Sequence, residues 1–299
     1  MHRYAGIVVL YNPKDEVVTN IDSYIEDIEQ LYVLDNSTEY NQMLIDKIKE
    51  KSKCKYISMN GNKGLAGALN IGCHMAYEQG FDYILTMDQD SCFEKGAVSR
   101  LIEKAEQGTE KLGIVAPNVT SVYPDAQTGE RKIAYVLQEE KGEYDQTWVM
   151  TSGSLMNLAA FEEVGGFDED FFIAHIDVDF GIRLTLAGYK TKMLGDAMIY
   201  QRFGHSMPKK ILWKTVYPWY EAPDRTYYLF RNHTYMMKKY GKKIKPLVHV
   251  SLANHLIKIL LFENKKWKKL KCAWLGYLDG RKGKMGKWCS ENFGYERWK

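Results

Sequence analysis

A short apolar run, residues 83–87, breaks at once into two carboxylates, Asp88 and Asp90, separated by one residue. A β-favouring run of this length predicts a strand buried on both faces, which places it inside an α/β sheet. Ligands of open α/β sheets sit beyond the carboxyl ends of the strands. In extended backbone, residues i and i+2 point the same way, so both acids can face one ligand. Hard oxygen donors of this kind suit Mg²⁺ or Mn²⁺ bridging to a phosphate. Taken alone, an Asp-x-Asp after a strand is more often a solvated turn, so its surroundings must decide.

Those surroundings repeat the pattern. Residues 4–11 are almost continuously apolar and are closed by Asn12-Pro13, as in a buried parallel strand. Residues 21–30 carry helical spacing at Ile21, Tyr24, Ile25 and Ile28, and residues 30–34 predict a strand that ends in Asp35-Asn36-Ser37. A helix over 41–53 and a strand over 55–59 follow, and the βαβαβ alternation implies a parallel sheet with right-handed crossovers.

Residues 60–72 form a glycine-rich loop running into a helix that reaches about residue 79. Its spacing is neither Gly-x-Gly-x-x-Gly nor a P-loop. Small residues there can let backbone N–H groups and Lys63 approach a diphosphate, or can serve a closely packed helix. Further on, residues 97–107 predict a helix, 112–117 a strand and 118–145 a run of hairpins. The small residues 151–154 leave room for a ligand against backbone. A helix from Val178 to a stop at Gly188 places Asp177 at its N-cap.

Charge divides the 299 residues. Residues 200–299 hold 23 Lys and Arg against 6 Asp and Glu, leaving 18 against 32 for the first 199. Six of the seven tryptophans lie in the basic zone, a composition suited to anionic lipid headgroups. Lys258 and His255 interrupt the apolar run 247–262, so that helix is expected to lie on a surface and not to span. Lys265, Lys266, Lys268, Lys269 and Lys271 follow it. Five scattered cysteines without a Cys-x-x-Cys pair indicate neither disulfides nor zinc, and no signal peptide is legible. The location expected is cytoplasmic, peripheral on the inner face of the membrane.

In order, the chain carries a strand ending in Tyr-Asn, a strand ending in Asp-Asn-Ser, Asn-x-Gly-x-Ala-Gly-Ala, a strand ending in Asp-x-Asp, and Gly-Gly-Phe-Asp-Glu followed by Asp177-Val-Asp-Phe. This succession resembles glycosyltransferase family 2 over about residues 4–205. Arg225-x-Tyr-Tyr-x-x-Arg231-Asn232 resembles its bacterial rhamnosyltransferase branch. The resemblance implies a GT-A type nucleotide-sugar-binding α/β fold, with a mostly parallel central sheet flanked by helices, over residues 1–207. A basic helical region would occupy residues 208–299.

By the same resemblance Asp35 meets the pyrimidine, and Asn12, Lys63, Gly64, Asp88 and Asp90 contribute to the donor site. Asp88 and Asp90 hold Mg²⁺ or Mn²⁺, and Asp177 is the catalytic base. Gln201-Arg202-Phe203-Gly204 stands where many relatives carry a metal-facing histidine, which makes nearby His205 the candidate third metal ligand. The expected donor is dTDP-rhamnose or a UDP-sugar, and the acceptor a glycan or lipid-linked saccharide. An anionic membrane is the expected surface partner, no nucleic acid is expected, and a homo-oligomer is possible. A sugar nucleotidyltransferase would share the acidic site but need no base at Asp177. A nucleic-acid-binding protein would use the basic zone, against which the acidic first two-thirds argues.

Overall fold

The computed structural model describes residues 2–108, 110–125, 128, 130–204, 207–211, 214–218, 220–241 and 252–288. Strands β1 (Tyr4–Leu10), β2 (Gln30–Asp35), β3 (Cys54–Ser58) and β4 (Tyr83–Asp88) lie parallel in the order β3-β2-β1-β4. They are linked through helices α1 (Glu16–Asp22), α2 (Gln42–Lys49) and α3 (Leu65–Glu78). Side chains of β1 alternate between two cores: Ala5, Ile7 and Val9 meet α3, while Tyr4, Val8 and Leu10 meet α1 and α2. Period-two alternation with apolar residues on both faces is why β1 reads as a continuous apolar run.

Beyond β4 come β5 (Ser91–Phe93), helix α4 (Ala97–Glu106), β6 (Leu112–Pro124), β7 (Arg131–Val136), β8 (Glu143–Gln146) and β9 (Ser154–Asn157). Helices α5 (Leu158–Glu163) and α6 (Ile176–Leu186) precede β10 (Lys190–Gln201). The described sheet continues β4-β9-β6-β10-β5, with β7 on β6 and β8 on β10. Only β6 and β10 are parallel in this half; β9 opposes both β4 and β6. The mostly parallel sheet thus holds across the first four strands and becomes mixed beyond them. Short connections such as that from β6 to β7 can join only antiparallel neighbours.

Three local expectations shift. The helix expected over 21–30 is α1 followed by a single 3-10 turn. The Ser23 hydroxyl donates to the Asn20 carbonyl at 2.6 Å, ending the helix, and the Glu29 N–H donates to the Tyr4 carbonyl at 2.9 Å, drawing the chain into β2. The strand expected to stop at Pro117 runs to Pro124, because Asn118, Thr120 and Ser121 are buried as strand residues despite their polarity. The glycine-rich helix packs closely, since a Cβ on Gly72 would come within 2.3 Å of Ile7 and 2.6 Å of Leu34.

A small hairpin, β11 (Lys209–Ile211) and β12 (Lys214–Val216), leads to α7 (Pro223–Tyr240), α8 (Leu252–Phe262) and α9 (Lys266–Lys282). Helices α7 and α9 touch backbone to backbone: a Cβ on Gly276 would lie 2.3 Å from the Tyr227 carbonyl oxygen, and one on Gly280 2.4 Å from that of Arg231. Helix α7 also joins the α/β part, with Met236 fully buried in its core.

Candidate active site

Strands β1, β2 and β4 end level, with Leu10 paired to Asp35 and Val9 to Asp88. At this edge a cavity of about 830 Å³ opens, and it brings together Asp88, Asp90, Gln201, Asp177 and Arg225. Its outer wall comes from α8, including His255, Lys258 and Ile259.

Gln201 donates from Nε2 to Asp88 Oδ2 at 2.7 Å, and the Asp88 N–H reaches Ser152 Oγ at 3.3 Å. Burial pushes the Asp88 carboxyl up; Arg225 opposes this, Asp177 adds to it and Gln201 opposes it. Asp90 touches the water of the cleft yet is walled by protein, and burial together with the Asp88 charge pushes it up to about 7. Burial likewise lifts Asp177 to about 6, against the Val178 N–H, which donates to Asp177 Oδ1 at 2.9 Å. Desolvation disfavours ionisation of all three, and like charge adds to it at Asp88 and Asp90, a strain that a cation between those two relieves.

Among the described residues no three His, Cys, Asp or Glu side chains form a metal cage by themselves. Mg²⁺ usually takes one or two carboxylates and completes its shell with substrate phosphate oxygens and water, so Asp88 and Asp90 fit that role. The third metal ligand expected from the sequence, His205, lies outside the described residues.

Asp177 is not the N-cap of α6. The helix begins at Ile176, with His175 in left-handed backbone (φ 61°) before it, and Asp177 sits in the first turn with its side chain at the cavity. Asp179, two residues on, is fully buried and accepts from Arg183 Nε at 2.7 Å, Lys239 Nζ at 2.9 Å and the Tyr240 hydroxyl. Saturated in this way, it ties α6 to α7 and leaves Asp177 as the acid of this turn that faces the cavity.

The other predicted residues lie apart. Asp35 is buried, its two oxygens accepting from the Tyr56 hydroxyl at 2.7 Å and the Ser37 N–H at 3.0 Å. One strand, β1, lies between its strand and that of Asp88, two spacings of about 4.8 Å. Asn12, at φ 46°, donates its N–H to Ser37 Oγ at 2.8 Å. Lys63 and Gly64 do not line the acid cavity. Their N–H groups go to the side chains of Asn36 and Asn62, and the Leu65 N–H at the start of α3 goes to the Phe172 carbonyl at 2.9 Å. Gly64 is required where it stands, at φ 83° with a Cβ position only 2.7 Å from the Phe172 ring. Gly153 leaves no room for a ligand, since a Cβ there would meet Ile199 at 2.6 Å and Pro117 at 2.8 Å, although Ser152 beside it lines a separate cavity of about 280 Å³.

Arg225, Arg231 and Asn232 stand in a sequence motif that carries no signal of their roles. Arg231, 1% exposed, donates to the carbonyls of Asp170 and Phe171 at 3.1 Å and to that of Gly286 at 2.5 Å. Asn232 Nδ2 lies 3.0, 2.8 and 2.8 Å from the carbonyls of Phe171, Ile173 and Ala174. Together they hold a loop in which Phe172, Ala174 and His175 all have φ above 60°. Left-handed backbone is costly for residues other than glycine and persists only where its surroundings impose it.

An α/β sheet with Asp88 and Asp90 at the end of one strand, facing Asp177 across a cavity, has the architecture of the GT-A class of glycosyltransferases. The family model described as glycosyl transferase family 2 matches residues 7–175, more than half of the chain, and the chain belongs to that family. It is 23% identical over 295 residues to a dTDP-rhamnosyl transferase, RfbF, of Shigella flexneri, covering 94% of this chain and 96% of that protein. It is 25% identical over 224 residues to a poly-beta-1,6-N-acetyl-D-glucosamine synthase of Staphylococcus aureus (strain MSSA476), of which 52% is covered. Among solved structures, GalNAc-T7 with UDP, GalNAc and Mn²⁺ shares the fold with a TM-score of 0.59 at 10% identity, over 94% of this chain and 56% of that one. S. aureus TarS 1-349 does so with a TM-score of 0.54 at 14% identity, over 98% and 74%.

Proposed function

We propose that this glycosyltransferase moves L-rhamnose from dTDP-rhamnose to a glycan or lipid-linked saccharide in bacterial polysaccharide biosynthesis, with inversion at the anomeric carbon. The observation that carries the reading is the convergence on one cavity of Asp88 and Asp90 with Asp177, while Asp179 is consumed by ion pairs. Likeness to a dTDP-rhamnosyl transferase over nearly the whole of both chains supports the donor.

In this mechanism Asp88 and Asp90 would hold Mg²⁺ or Mn²⁺, which when bound offsets the charge developing on the departing nucleoside diphosphate. Arg225, half-exposed on the cavity wall, adds a second positive charge facing the same carboxylates and the diphosphate. Asp35 holds the pyrimidine and Asn12 shapes the adjoining turn. Asp177 takes the proton of the attacking acceptor hydroxyl. With a single base and in-line displacement, the β-linked sugar of the donor becomes an α-glycoside.

Purified enzyme offered dTDP-rhamnose, UDP-glucose, UDP-galactose and UDP-galactofuranose with MnCl₂ should release nucleotide fastest from dTDP-rhamnose; preference for a UDP-sugar would replace the donor assignment. MnCl₂ with dTDP should raise the Tm of the wild type and leave that of Asp90→Ala unmoved. An equal rise in both would remove Asp90 from the cation site.

The C-terminal helices support peripheral attachment to the cytoplasmic face of the membrane. Among the described residues no helix is long and apolar enough to cross a bilayer. Ile257, Leu260 and Leu261 of α8 are exposed, as are Trp267 (85%) and Trp274 (61%) of α9, with Lys265, Lys266 and Lys271 beside them. One member of the expected lysine cluster belongs elsewhere: Lys269 is buried and pairs with Glu263 at 2.6 Å. Each lysine near an anionic surface contributes roughly 1 kcal/mol. The protein should float with phosphatidylglycerol vesicles at low salt. Exchanging Lys265, Lys266 and Lys271 for Gln should abolish flotation while sparing donor hydrolysis; flotation of the variant would dismiss this face as the anchor.

A further inference from the structure

His175 stands two residues before Asp177, in left-handed backbone, and its side chain lines the cavity. The residue is 6% exposed, and neither ring nitrogen has a hydrogen-bond partner among the described residues. Its ring meets that of His233 from α7 edge-on, centroids 5.7 Å apart, and His233 Nδ1 is likewise unpartnered. Buried polar groups are almost always hydrogen-bonded. An imidazole that is buried, unsatisfied, held in strained backbone and open to a cavity is therefore poorly explained as packing. Asn232 maintains that backbone through the carbonyls of Ile173 and Ala174.

Burial, with the neighbouring His233, pushes the His175 imidazole down to about 3, so it is neutral wherever the enzyme works. A neutral imidazole offers one N–H donor and one bare nitrogen acceptor. A sugar hydroxyl also offers one of each, and a vicinal diol presents both to one ring. In-line displacement puts the acceptor oxygen between the donor sugar and Asp177. A side chain that enters the cavity from beside Asp177, as that of His175 does, therefore stands on the acceptor's side.

We infer that His175 is an acceptor-positioning residue, binding the hydroxyl next to the attacking one on a saccharide acceptor and so aligning the nucleophile with Asp177. The inference rests on the glycosyl-transfer reading, and its test separates the two.

His175→Phe keeps the ring and its contact with His233 but removes both polar atoms, whereas His175→Gln keeps one donor and one acceptor. Full-length wild type and both variants would be assayed with the preferred donor. Water would be one acceptor, and the methyl glycosides of rhamnose, glucose, galactose and N-acetylglucosamine, at high millimolar concentration, the others. Donor hydrolysis and donor KM should stay within about twofold in all three proteins. For the glycoside that most stimulates the wild type, His175→Phe should raise KM by about tenfold, the worth of one hydrogen bond, and His175→Gln should recover most of the loss. The Tm of His175→Phe should equal or exceed the wild-type value, because a buried unsatisfied pair of nitrogens is gone.

An unchanged acceptor KM in His175→Phe overturns the inference. So does a fall in hydrolysis that matches the fall in transfer, or a wild type that none of the glycosides stimulates. Absence of donor turnover in the wild type would instead defeat the glycosyl-transfer reading itself.

Discussion

Exchanging Asp177 for Asn is expected to lower kcat by about 10²–10⁴-fold, the usual worth of a positioned general base, with donor KM and Tm close to wild type. Asn keeps the oxygen that accepts from the Val178 N–H, so the first turn of α6 should survive. What it cannot do is take the proton of an attacking hydroxyl. The pH profile gives an independent reading. Because burial lifts Asp177 to about 6, its active, deprotonated form is lost as pH falls through that value. The wild-type rate should drop tenfold per unit below it. The residual activity of the variant should lack that acid limb. A variant with wild-type turnover would return Asp177 to a purely structural role.

Arg231→Lys should be almost as damaging by a different route. The guanidinium donates to the carbonyls of Asp170, Phe171 and Gly286 and to Asn232 Oδ1, and lies 4.8 Å from the centroid of the Tyr228 ring. An ammonium keeps the charge but not the fork. Charge-assisted hydrogen bonds are worth about 1.5–3 kcal/mol each, so losing two of them should cost about 3–6 kcal/mol and lower Tm on the order of 10 °C. At temperatures where the variant stays folded, kcat should still fall. The loop before Asp177 holds three left-handed residues, which relax once their carbonyls are released. Wild-type stability and turnover in Arg231→Lys would show that the charge alone suffices.

Much of this was legible in the chain. The strand ends at Asp35 and Asp88 were readable because parallel strands buried on both faces are written as continuous apolar runs. Where burial is polar the signal fails: Asn118, Thr120 and Ser121 sit inside β6 because β10 pairs alongside their backbone, which no local pattern reveals. The site divides the same way. Asp88, Asp90 and Asp177 could be found as acids at element ends. Arg225 reaches them only through the packing of α7, a long-range fact. In sequence Gly64 resembles a diphosphate-binding glycine, yet its positive φ and its contact with Phe172 serve the seam between the glycine-rich loop and the loop before α6. A glycine that frees backbone for a ligand and one that admits a neighbouring ring look alike in sequence.

The clasp on residues 170–174 also sets a timetable for synthesis. Its fastenings come from Arg231 and Asn232, and Arg231 is itself anchored by the Gly286 carbonyl, while the Trp288 N–H donates to the Tyr228 hydroxyl at 2.8 Å. On the ribosome the α/β half, including every carboxylate of the site, emerges long before those partners exist. A nascent chain that stops short of residue 231 thus carries the acids without the clasp, and one that stops short of residue 286 has the clasp without its anchor, so sugar-nucleotide cleavage should reach its full rate only when translation has passed that second point.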